Sequence, residues 1–213
     1  MRGPDPNELG WKETIRVNPL ENTIVAIRPV APTLPFELPN SVRLMDPTKL
    51  EGALLTGGPG GYVDPAGNPV TAYGAGGVIA NQYVNYGWEF VLHCHLLSHE
   101  EMDMMHGMAF MLPPQAATGL AAAGTSPSVS LAWTDNSINE TEFVIEWAEA
   151  TTGPWNALTT VPADTVAYTD TSIWTGTRYY RVTARNRSGS AVPNFPTLSA
   201  DAAPIVSNAV TNP

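Results

Sequence analysis

The chain has 213 residues, with 20 acidic against 10 basic side chains, and its formal charge of −10 disfavours electrostatic binding to nucleic acid or an anionic membrane. Charged residues make up only 14%, and 20 prolines with 18 glycines suit β-rich domains with many turns better than helical bundles. No run of about eighteen apolar residues exists, so no membrane span is expected, and the opening MRGPDPNELGW has no apolar signal core.

In chain order, alternating apolar positions predict strands over Thr14 to Val17 and Thr23 to Arg28, the second ending at Pro29, which cannot donate in a sheet. Residues Val30 to Asn81 are dominated by Pro, Gly, Asn and short apolar runs. A stretch this long and irregular inside a domain is read either as a loop lining a substrate entrance or as a mobile insertion. The apolar run Trp88 to Leu92 predicts a core strand, and Gly107 to Leu112 another that stops at Pro113-Pro114. That double proline and the small residues of 115–124 mark a domain boundary. Beyond it Ser128 to Trp133, Glu142 to Trp147 and Tyr179 to Asn186 alternate at period two between turn-rich segments, enough for a seven-stranded sandwich. The expected organisation is a first domain over 1–113, a linker over 114–124 and a second domain over 125–213, all-β throughout.

The chemistry gathers after the third of these strands. His93-Cys94-His95, His99 and Met104 contain the only cysteine of the chain and three of its four histidines. In an extended segment Cys94 points to one face while His93 and His95 point to the other. One metal ion cannot easily take all three, so the pattern implies two sites with one strand as partition. Thiolate, imidazole and a nearby thioether suit a copper that exchanges electrons, and the histidine pair suits a second copper centre. Zinc is the nearest chemical competitor, although it leaves the two-faced geometry unused. Met102, Met105, Met108 and Met111 are read as gap-filling core.

The stretch NYGWEFVLHCHLLSHEEMDMMHGM, Asn85 to Met108, resembles the last copper motif of multicopper oxidases, the laccase-like group, and most of all the bacterial branch with an axial methionine. The resemblance implies a cupredoxin-like Greek-key sandwich. It implies a type 1 copper held by Cys94 and His99 with Met104 on its axis, and a trinuclear cluster to which His93 and His95 each give one ligand. It further implies one-electron oxidation of phenols, aromatic amines or metal ions, with electrons passing through Cys94 and its neighbours to reduce dioxygen to water. A thioether axial ligand favours a lower potential. Glu100, beside His99, is a candidate for passing protons.

A blue-type copper wants two imidazoles, and the motif supplies only His99 on that face, with His106 too close in sequence to be the second. In the family the other comes from an upstream His-Pro-x-His segment, which nothing here resembles, whereas Gly10 to Val17 looks like the piece that follows it. The chain is therefore expected to be the C-terminal portion of a longer, secreted or cell-envelope oxidase, inactive without its missing N-terminal cupredoxin domains. The other function class is a non-enzymatic copper-binding or adhesion protein.

VSLAWTDN, EFVIEWAEA and TRYYRVTARNRSG resemble a fibronectin type III domain. Trp133 is expected in the core of its second strand, Val182 and Ala184 facing inward on its sixth, and the corner tyrosine position falls at Arg178 with Tyr179 displaced by one. No metal, catalytic or nucleotide motif appears between Ala116 and Pro213. Such a module is a passive appendage or a surface- or polymer-binding unit, the latter through exposed aromatics such as Trp155 or Trp174.

Overall fold

The computed structural model describes residues 3–30, 33–55, 79–102, 104–189 and 197–213. Residues 31–32 and 56–78 of the irregular 30–81 segment thus lie outside the described residues. The chain divides into two compact units, Met1–Pro32 and Thr33–Pro213.

In the first unit a short 3-10 helix, Pro6–Glu8, is the regular element among the described residues, and Arg16 pairs with Asp5 at 2.9 Å. The strands expected over Thr14 to Val17 and Thr23 to Arg28 do not form. Ile15, Val17, Ile24, Val25 and Ile27 stay exposed. Alternation makes a segment competent to be a strand, but a ladder needs a partner, and among the described residues none pairs with it.

The second unit begins with β1 (Val42–Leu44), β2 (Leu54–Leu55), β3 (Ile79–Ala80), β4 (Tyr83–Asn85), β5 (Trp88–His93), a one-turn helix α1 (Leu97–Glu100) and β6 (Met105–Phe110). These strands pair two by two, all antiparallel: β1 with β4, β2 with β3, β5 with β6. Arg43 fastens two of the pairs together, donating to both carboxylate oxygens of Glu89 at 2.6 and 2.8 Å and lying 4.1 Å above the ring of Tyr86. Asn81 is 1% exposed and knots the loop before β2, donating to the carbonyls of Asp46, Lys49 and Leu50 while its own carbonyl oxygen accepts from Asp46 N.

The remainder is an antiparallel β-sandwich. One sheet holds β7 (Thr118–Thr125), β8 (Ser128–Thr134) and β11 (Ala167–Asp170) in the order β11-β8-β7. The other is built on β9 (Glu142–Ala148), β10 (Asn156–Pro162) and the long β12 (Gly176–Ser188), with β13 (Leu198–Asp201), β14 (Ile205–Val206) and β15 (Val210–Asn212) each pairing with β12. Strand β8 shows the cause: Val129, Leu131 and Trp133 are buried and the residues between them exposed, so its period-two pattern matches one covered face. Phe143, Ile145, Tyr180, Val182 and Ala184 meet them from the facing sheet. Trp133, Val182 and Ala184 lie inside as expected.

Three expectations need correction. Residues 114–124, expected as a linker, carry most of β7, a full strand whose Ala117 and Ala122 sit in the core. Small residues there allow close sheet packing rather than flexibility. The fully buried tyrosine of this segment is Tyr180, whose Oη donates to Asp170 Oδ2 at 2.8 Å, rather than Tyr179, and Arg178 is also buried. Met102 and Met105 are exposed and not core, because the β5/β6 pair has no second sheet over it among the described residues.

Candidate metal centre

The register of β5 with β6 aligns Trp88 with Phe110, Phe90 with Met108 and His93 with Met105. Trp88, Phe90 and Phe110 form one aromatic cluster with centroids 5.0 to 6.3 Å apart, which stiffens the base of this pair. Gly87 precedes it with φ of 65°, and a Cβ there would lie 2.6 Å from Met111 Sδ and 2.8 Å from the Phe110 carbonyl, so only glycine fits this approach.

At the other end of the pair the chain leaves β5 at His93 and turns at once. Cys94 N donates to the Met104 carbonyl at 3.2 Å, and Met104 N donates to the His99 carbonyl at 3.0 Å. The loop from Cys94 to Met104 is thereby closed on itself, with α1 inside it. His99 comes back over the sulfur, its Nδ1 3.5 Å from Cys94 Sγ. Leu96 N also donates to that sulfur, at 3.4 Å. His93 and His95 come together separately, their rings 4.5 Å apart and tilted by 46°. Glu100 Oε1 lies 3.6 Å from His93 Nδ1, and that nitrogen is buried without a hydrogen-bond partner.

The structure therefore brings Cys94 to His99 and His93 to His95 as two pairs, with Glu100 beside the second. Met104 is tied in through its backbone, while its side chain is 56% exposed. Among the described residues, no three nitrogen, sulfur or carboxylate donors of this loop lie within 4.8 Å of one another. Each pair could give part of a coordination set: soft sulfur with imidazole suits copper, as does an imidazole pair, and His93 Nδ1, buried without a hydrogen-bond partner, is free to serve as a ligand atom.

Around the loop, Val91, Leu92, Leu96, Leu97 and Met104 are at least half exposed. This apolar rim frames both pairs.

Sequence reasoning missed the asparagines that seat this half against the sandwich. Asn85, at the end of β4, donates to Asn186 Oδ1 at 3.0 Å and to the Arg187 carbonyl at 2.9 Å. Ser188 Oγ and Gly189 N both donate to the Asn85 carbonyl. Asn186 in turn donates to Asn40 Oδ1 and to the Leu112 carbonyl. The readable signal was the alternation of β12 continuing inward past Ala184 onto two polar residues, Asn186 and Ser188, which can be buried only against polar partners.

It also placed Trp174 among the exposed aromatics, and this is corrected. Trp174 is 7% exposed, under the Arg178 guanidinium, which lies 3.9 Å from the ring of Trp147 and 4.9 Å from that of Trp174. Trp155 stays half-buried below Arg181.

No protein-family model and no curated protein matches the chain. Among solved structures it is similar to an Fn3-like protein from Clostridium thermocellum, with 22% identity and a TM-score of 0.33 over 46% of this chain and 94% of that one. It is similar also to a set of domains from titin, with 20% identity and a TM-score of 0.34 over 50% of this chain and 35% of that one. By its own strand order and core the C-terminal half is a two-sheet antiparallel β-sandwich.

Proposed function

We propose that the chain is the copper-binding C-terminal part of a laccase-like multicopper oxidase that carries a fibronectin type III-like module. The observation that supports this reading most is the division of the donors: Cys94 Sγ with His99 Nδ1 at 3.5 Å, and His93 with His95 at 4.5 Å between rings, within one closed loop. Cys94, His99 and Met104 would hold a type 1 copper, and His93 and His95 would give ligands to a trinuclear cluster. Copper supplies one-electron redox chemistry, the reductant being a phenol, an aromatic amine or a metal ion and the oxidant dioxygen.

The residues themselves do the positioning. The backbone links through Met104 fix where His99 stands relative to the sulfur, and the aromatic base of the β5/β6 pair fixes the direction in which His93 leaves it. Glu100, whose Oε1 lies 3.6 Å from His93 Nδ1, would pass protons toward the dioxygen chemistry by general acid action. The apolar rim suits docking of another cupredoxin domain, from which the remaining imidazoles would come.

Copper added to the full chain is expected to give neither a normal blue thiolate charge-transfer band nor oxygen uptake with a phenol. The same chain extended by an upstream HPxHxHG-bearing cupredoxin domain is expected to give both. Robust turnover by the 213 residues alone, or none in the extended protein with copper loaded, would overturn the proposal.

The second reading, a non-enzymatic copper-binding or adhesion protein, is favoured by the incomplete donor sets. It is distinguished by copper binding without turnover in the extended protein.

A further inference from the structure

At the end of the sandwich where β8 runs out, three carboxylates converge, two from the β8–β9 connection and one from the turn after β10. Asp135 follows β8, Glu140 precedes β9, and Asp164 stands in the turn after β10, which enters the left-handed region at φ of 59°. One oxygen from each lies within 4.8 Å of the other two. None of the three has a lysine or arginine at salt-bridge distance among the described residues, whereas Glu142, Glu146, Asp170 and Asp201 of the same sandwich all do.

Glu140 carries the independent observation. Its side chain belongs to a residue 7% exposed. Oε1 accepts from Asp164 N at 3.2 Å, but Oε2 is buried with no hydrogen-bond partner. A native fold rarely leaves a buried carboxylate oxygen unsatisfied among other acids unless something else fills the place. Burial pushes the Glu140 carboxyl above the usual range, and the nearby Asp135 adds to this, against the backbone and Ser137 hydrogen bonds that pull it down. Within the cluster, Asp135 Oδ1 accepts from Ser137 N at 3.0 Å, which leaves that amide unable to serve Glu140 Oε2.

We propose that Asp135, Glu140 and Asp164 form a calcium site that ties the β8–β9 connection to the β10–β11 turn. The donors are all hard oxygens, which select calcium or magnesium over softer ions. Their irregular disposition fits the flexible coordination of calcium better than the strict octahedron of magnesium, with water completing the shell. The site lies wholly inside the sandwich and owes nothing to the copper reading. Sequence inspection missed it because no short motif contains it; the two connections meet only once the strands are paired.

The test uses the full chain, stripped of metals with a chelator. Calcium chloride titrated by calorimetry is expected to show one saturable event with a Kd of about 0.1 to 1 mM, the range of extracellular modules. Saturating calcium should raise the melting temperature of the sandwich by about 5 °C. Glu140→Gln and the exposed-site variant Asp164→Asn, each checked for an unchanged circular dichroism spectrum, should lose both effects. No heat and no thermal shift up to ~10 mM calcium, a tenfold excess over the weakest expected site, overturns the proposal. So does an equal shift in both variants.

Discussion

Asn85 Nδ2 lies 3.0 Å from Asn186 Oδ1, a hydrogen bond between the last residue of β4 and the inward face of β12. It joins the half of the chain bearing the histidine and cysteine loop to the sandwich, with the Asn40 and Ser188 bonds around it. The two halves of residues 33–213 thus meet through a buried polar seam rather than across a flexible linker.

Replacing Asn85 with alanine removes the donor to Asn186 and Arg187 and the oxygen that accepts from Gly87 N. Each buried group left without a partner costs about 1–3 kcal/mol. Asn85→Ala is expected to lower stability by about 2–4 kcal/mol in urea denaturation, and a loss under about 0.5 kcal/mol, the scatter of ordinary surface changes, contradicts the seam.

Inside the sandwich Asp170 is 1% exposed and accepts from Tyr180 Oη at 2.8 Å, Arg178 at 3.2 Å and Ser172 N at 2.9 Å. Burial alone pushes its pKa up, yet these donors outweigh it and hold the carboxyl below its ordinary value. A depressed folded pKa means that the associated stability is complete above the unfolded value, about 3.9, and is lost as pH falls through the folded one. Asp170→Asn should therefore destabilise at neutral pH and flatten the loss of stability in acid, read from urea midpoints between about pH 6 and 2. Tyr180→Phe, removing one donor, should cost about 1–2 kcal/mol. An unchanged acid profile in Asp170→Asn contradicts the role given to this carboxylate.

Trp174 lies in the core cluster, so Trp174→Ala should cost about 3–5 kcal/mol, as for other buried aromatics. Trp155, partly covered by Arg181, should cost clearly less on truncation. Any polysaccharide retention by the folded module should then depend on Trp155 and survive unchanged in a conservative Trp174→Phe variant. Melting curves alongside a pull-down separate the two effects, and loss of retention in Trp174→Phe at unaltered stability would contradict the burial argument.

Glu100→Gln, made in the extended, copper-loaded protein, should slow turnover and displace the pH-rate profile, since the carboxylate stands 3.6 Å from His93 Nδ1. A profile identical to that of the parent excludes Glu100 from proton transfer.

What could be read from residues alone followed the physics of one-sided burial. The pattern SVSLAWT specifies β8 because alternate side chains face a core, and the same rule finds β9 and β12. It fails at Thr14 to Arg28, where equally regular alternation meets no partner strand. It also fails at 118–125, where alanines and glycines look like a linker because their contribution lies in close packing and not in hydrophobic bulk. The proposed copper ligands stand out in the sequence as a pattern of residue types, whereas the pairing of His99 with Cys94 depends on the Met104 backbone links, which no periodicity encodes. Asn85 and the acidic trio were invisible for a related reason: their meaning arises from partners brought together by strand pairing, whereas Asn186 showed only as a polar residue on the inward side of β12.

The division of donors into two pairs is tested most directly by counting cuprous ions. The full chain is titrated with Cu(I) under a competing chelator, beside the paired variants C94S with H99A and H93A with H95A. The parent is expected to hold two ions per chain, each paired variant one, and the quadruple variant none. One ion in the parent that either paired variant abolishes would show all four residues serving a single site, and would contradict the two-sided reading on which the proposed function rests.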